Sequence, residues 1–147
     1  MQDLTTPQFR YAFKVFRKFP VENLQDDIRW ICHALDLIHP RDKDETVIRV
    51  FKTIIESARE GRGLTTTEIA EKLGYTRGTI LNHLKRLVQN GLVIQRHSLY
   101  ELREHSLFHT IQRIKEDVIR FVEDLLHVSE FIDRSYELQT RKKLDSF

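Results

Sequence analysis

Apolar residues recur along this chain mostly at helical spacing, and they divide it into helices and one short hairpin. Phe9, Phe13 and Phe16 follow Thr6-Pro7, a cap residue and a proline suited to the first helical position. They predict a helix over about 7–18, closed by Pro20. Leu24, Ile28, Ile31, Leu35 and Ile38 then predict a second helix over about 22–38, ended by Pro40. A third runs to about Glu60 behind the cap candidates Asp42 and Asp44. Its inner side is Val47, Val50, Phe51, Ile54, Ile55 and Ala58, and Gly61 and Gly63 terminate it.

The next stretch changes rhythm. Thr65 and Glu68 have the spacing of a capping box, which opens a short helix at about 66–73 with Ile69, Ala70 and Leu73 inward. Gly74-Tyr75 is a tight turn, and Thr76 caps a helix over about 77–90 with Ile80, Leu84, Leu87 and Val88 inward. Gly91 stops it. Leu92-Val93-Ile94 and Leu99-Tyr100-Glu101-Leu102 read as two strands joined around Arg96-His97-Ser98. From about Glu104 to Arg134 the chain predicts one long helix. Leu107, Ile111, Ile114, Val118, Phe121, Leu125, Val128 and Ile132 alternate steps of four and three, a heptad seam of the coiled-coil type. Phe108, Ile119, Val122, Leu126 and Phe131 widen that stripe, so the helix calls for more than one apolar neighbour.

Two helices joined by a glycine turn and followed by a hairpin make a winged helix-turn-helix. The segment T-x-x-E-I-A-E-K-L-G-Y-T-R-G-T-I-L-N-H-L-K-R-L-V-Q-N-G-L-V, Thr65 to Val93, resembles the DNA-binding module of prokaryotic regulators of the ArsR and MarR types. The flanking helices extend the similarity loosely over 44–134. The expected class is mainly α: a helical N-terminal extension at 1–43, a winged helix-turn-helix at 44–103, and a dimerisation helix with its tail at 104–147. The resemblance implies that helix 77–90 enters the major groove of double-stranded DNA and that the hairpin touches the backbone or minor groove.

The residues point the same way. On the side of helix 77–90 opposite Ile80 lie Gly78, Thr79, Asn82, Lys85, Arg86 and Gln89, flanked by Arg77 and His83. Major-groove base edges offer donors and acceptors to such side chains. Arg77, Thr79, Asn82 and His83 occupy the first two turns, where base contact is usual, while Lys85 and Arg86 are placed to meet phosphates. Gly78 is a poor helix former with two equal readings, close approach to DNA or a neutral surface position. The hairpin loop is compact beside the longer, glycine-containing basic loops of many relatives, which assigns Arg96 to phosphate.

Charge sharpens this picture. The 147 residues carry a formal net charge of only +2. Yet no acid occurs between Glu71 and Glu101, a stretch holding Lys72, Arg77, Lys85, Arg86 and Arg96. Such a window is a local footprint for a polyanion.

Other chemistry is thin. His105 and His109 have the helical spacing of a metal pair, but a structural site needs four ligands, so no metal or other cofactor is expected. The single cysteine, Cys32, excludes an internal disulfide and fits a reducing cytoplasm. Phe9, Phe13, Phe16 and Trp30 read as core or dimer seam rather than an effector pocket. No apolar run is long enough to span a bilayer. Neither a nucleophile elbow, a phosphate-cradling glycine loop nor H-E-x-x-H is present, so no enzyme is expected. The expectation is a dimeric, cytoplasmic, sequence-specific DNA-binding repressor. The alternatives are a winged-helix interaction subunit of the transcription machinery, or a metal- or ligand-gated sensor.

Overall fold

The computed structural model describes residues 9–14, 22–38 and 45–138. The chain divides into two compact units, Met1–Ile111 and Gln112–Phe147. The element order is α1 (Leu24–Ala34), α2 (Thr46–Ala58), α3 (Thr66–Leu73), α4 (Arg77–Gln89), β1 (Val93–Arg96), β2 (Leu99–Leu102) and α5 (Leu107–Ser135).

In the first unit α2 is central and touches α1, α3, α4 and β2. Its Val47, Ile48, Val50, Phe51 and Ile54 are buried, together with Ile69 of α3, Ile80, Leu84 and Leu87 of α4, and Leu92 and Val93. Removing this apolar surface from water is the main stabilising term of the unit. α2 begins at Thr46 after Glu45 at φ 50°, with no side-chain cap; Asp42 and Asp44 lie outside the described residues. Glu45 is instead held by Arg29 of α1, Nη2 to Oε2 at 2.9 Å.

α1 is shorter than the apolar spacing suggests. Asn23 caps its start, accepting from the Asp26 amide at 3.1 Å. The helix ends at Ala34, six residues before Pro40, because Asp36 turns left-handed at φ 57° and the Leu37 amide donates back to the Cys32 carbonyl at 2.8 Å. That bond is the closure of a Schellman motif, and it sends Leu37 and Ile38 into the core. Cys32 is fully buried, and burial pushes its thiol up to about 12, so it carries no thiolate at neutral pH.

The predicted helix over 7–18 is corrected at the residues described. Residues 9–14 form neither helix nor strand. The Arg10 amide donates to Gln89 O at 2.7 Å and the Lys14 amide to Ala34 O at 2.8 Å. Phe9, Tyr11 and Phe13 alternate and stack, with centroids 5.6 Å and 6.3 Å apart. Arg103 lies 4.3 Å over the Phe9 ring and donates to Tyr11 Oη at 3.0 Å. Gly91, at φ 81°, has Tyr11 packed where a Cβ would stand. Thr6, Pro7, Phe16 and Pro20 lie outside the described residues.

α5 runs for 29 residues; Ile114 of its apolar seam is buried, and from Phe121 onward the seam is exposed. Phe121, Leu125, Val128 and Ile132 are 61, 49, 54 and 47% exposed, and Ile119, Val122, Leu126 and Phe131 are exposed beside them. No helix among the described residues is long and apolar enough to cross a membrane.

Candidate nucleic-acid interface

Local sequence fixes the two helices that carry the interface. Thr65 Oγ1 accepts from the Glu68 amide at 3.0 Å while Glu68 reaches back to the Thr65 amide at 3.3 Å, so the capping box forms at α3. The bond from the Thr65 amide, and then Arg62 at 2.6 Å, hold the Glu68 carboxyl below its usual range. Gly74, left-handed at φ 75°, closes α3, with the Gly74 and Tyr75 amides both donating to Ala70 O. Thr76 then caps α4, its Oγ1 accepting from the Thr79 amide at 3.2 Å.

With Ile80, Leu84 and Leu87 turned into the core, the opposite face of α4 is open. Arg77, Gly78, Asn82, Lys85 and Gln89 are exposed, and Thr79, His83 and Arg86 are half-buried. The side chains of Arg77, Asn82 and Lys85 have no hydrogen bond or ion pair among the described residues, so their donors are available to a ligand. The Thr79 hydroxyl is engaged by Thr76 Oγ1 at 3.0 Å. Nothing lies within 4 Å of where a Gly78 Cβ would stand, so the chain itself does not require glycine there.

Arg86 has a different setting from the rest of that face. Its guanidinium donates to the Leu37 carbonyl and reaches Asp36 O at 3.5 Å, tying α4 to the turn after α1. Arg96, on the hairpin, pairs with Glu101 at 3.1 Å while leaving 69% of its side chain exposed. The hairpin is antiparallel, from Val93↔Leu102 to Arg96↔Leu99, and leaves His97 and Ser98 as a two-residue turn. His97 sits at φ 56°, a region histidine visits more readily than most residues. Leu64 bonds across to Tyr100 in both directions, at 2.9 and 2.7 Å, and braces the hairpin against the end of α2.

One contact was not readable from spacing. Arg49, exposed on α2, donates from Nη1 to the Tyr75 hydroxyl at 2.9 Å, next to the cap of α4. Twenty-six positions separate the two residues, and only Tyr75 lies in the Thr65–Val93 segment.

His105 and His109 do come together, with ring centroids 4.2 Å apart, and His109 Nδ1 shares a hydrogen with Ser106 Oγ at 2.7 Å. No group of three or more potential ligands gathers for a metal among the described residues.

The family model for a Helix-turn-helix domain matches residues 44–96. That span covers α2, α3, α4 and β1, and β2 completes the two-stranded wing. No curated protein and no solved structure matches the chain.

Proposed function

We propose that this chain, whose residues 44–96 match the Helix-turn-helix domain model, is a dimeric transcription regulator reading double-stranded DNA with α4. The observation that carries this reading is the open face of α4. The side chains of Arg77, Asn82 and Lys85 project there without partners among the described residues, in a stretch with no acid from residue 72 to residue 100. A helix so equipped fits the major groove, and uncompensated cations beside it attract the phosphate backbone.

In this reading Asn82 pairs with a base edge, and Arg77 meets guanine or a phosphate near the helix start. His83 and Thr79 border the groove. Lys85 takes the phosphate, the more so because Arg86 is spent on Leu37 and Asp36. Arg96 is the wing's phosphate contact, exchanging Glu101 for DNA. The bare seam of α5 pairs with a second copy, and the dimer represses by occupying a promoter in the cytoplasm, without catalysis.

The test is selection of bound DNA from a random pool. An inverted repeat is expected, with half-site centres about 10–10.5 base pairs apart or a multiple of that. Recovery of no sequence preference would overturn base reading and leave a winged-helix interaction module.

Gly78 supplies a separate expectation. Gly78→Ala should raise thermal stability, by about 1 kcal/mol, since glycine is a poor helix residue and space is open. It should also weaken binding to the selected site, because the new methyl group stands between backbone and groove. Calorimetry and a binding isotherm on the same sample check both. Unchanged affinity would make Gly78 an ordinary surface residue.

A further inference from the structure

The geometry points to a phosphate clamp formed by Arg49 and Tyr75, outside the recognition helix and beside its N-terminal end. It rests on the DNA-binding reading above and adds a contact that neither the helix-turn-helix pattern nor the basic window contains.

Arg49 differs from most arginines whose partners are fixed in this fold. Arg29, Arg62, Arg96 and Arg113 each lie against a carboxylate, which cancels their charge. The partner of Arg49 is a neutral phenol, and no carboxylate pairs with it among the described residues. Its charge is therefore uncompensated yet its position is fixed. The backbone that carries this phenol is itself held in place. Tyr75 follows left-handed Gly74, its amide donates to Ala70 O at 3.1 Å, and its neighbour Thr76 caps α4.

One guanidinium nitrogen is occupied by the phenol, and the guanidinium has five N–H donors in all. The remaining fork matches the two oxygens of a phosphate. Holding a cation in place beforehand lowers the entropy cost of using it. Arg77, exposed two residues beyond Tyr75, adds a second cation on the same flank. A DNA strand bordering a groove entered by the first turn of α4 would bring a phosphate to this point. A solvated surface arginine needs no such anchor, and a loop-bracing pair would need no charge.

The test is the affinity of full-length protein for its selected site and for scrambled DNA, measured against salt concentration. Arg49→Ala should weaken both complexes alike and lower the salt slope by about one unit per subunit. Arg49→Lys should keep the slope but bind more weakly than wild type, having the charge without the fork. Tyr75→Phe should likewise keep the slope and lose part of the affinity, because only the anchor is removed. Arg59→Ala, at the C-terminal cap of α2 and about 15 Å away at 1.5 Å per residue, should match wild type. Thermal stability should be unchanged for Arg49→Ala, which separates this role from a structural one. Wild-type slope in Arg49→Ala overturns the clamp, whereas wild-type protein that binds no DNA overturns the DNA-binding reading and the clamp with it.

Discussion

Replacing Phe121 and Leu125 together by glutamate should leave the protein monomeric and reduce its affinity for a two-half-site DNA by about 10²–10⁴-fold. Both side chains lie on the α5 seam and are exposed in the single chain, as are Val128 and Ile132 one and two turns further on. Contiguous apolar surface of this kind marks an interaction site in a soluble protein. Fully burying a leucine- or phenylalanine-sized side chain contributes about 1.5–3 kcal/mol, so covering half of one contributes on the order of 1 kcal/mol. Eight such side chains meet when two copies pair over Phe121 to Ile132. Four carboxylates in the same place would be desolvated without partners, which removes that gain and opposes association. The winged unit should keep its thermal transition, since neither residue belongs to it. Loss of affinity follows because each half-site is then bound without the other. Light scattering at micromolar concentration reads the mass directly. A variant that stays dimeric would show that the seam is not the interface, and a wild-type monomer would sink the dimer itself.

How far the sequence anticipates the molecule depends on how local each decision is. α3 is expected at about 66–73 and forms over Thr66–Leu73, because its start and stop lie within it: the Thr65–Glu68 box and left-handed Gly74. α4 and the two strands are legible for the same reason. The segment at 9–14 is not. Its aromatics satisfy a helical step, Phe9 to Phe13, and an alternating one, Phe9–Tyr11–Phe13, and the choice is made by distant carbonyls at Gln89 and Ala34. The end of α1 is misplaced because an aspartate, not a glycine, takes the left-handed position. At the interface, which side of α4 faces outward follows from Ile80, Leu84 and Leu87 alone. The engagement of Arg86 with the chain fifty residues earlier, and that of Arg49 with Tyr75, depend on how α1, α2 and the turn pack, and no residue spacing encodes them.

The recognition helix should separate base reading from charge when its residues are changed singly. Asn82 is exposed on α4 and uncharged, and its side chain has no partner among the described residues. Its amide can donate and accept at once, which suits the paired donor and acceptor of an adenine edge. Asn82→Ala should cost about 1–3 kcal/mol on the selected site and relax the preference at one base position. The salt slope should stay the same, because an amide neutralises no phosphate. Lys85 lies nearly one turn further along the same open face and carries the charge that Arg86 commits elsewhere. Lys85→Ala should weaken selected and scrambled DNA equally and lower the slope by about one unit per subunit. Arg86→Ala should act differently from both. Its main effect should be on stability, since the Asp36 and Leu37 carbonyls lose a charged donor, at a cost of about 1–3 kcal/mol. Isotherms across a salt series, with a melting curve for each variant, place every residue in one of the three classes. If Asn82→Ala changes neither affinity nor base preference while Lys85→Ala weakens all binding, α4 is an electrostatic anchor and the sequence is read elsewhere on the molecule.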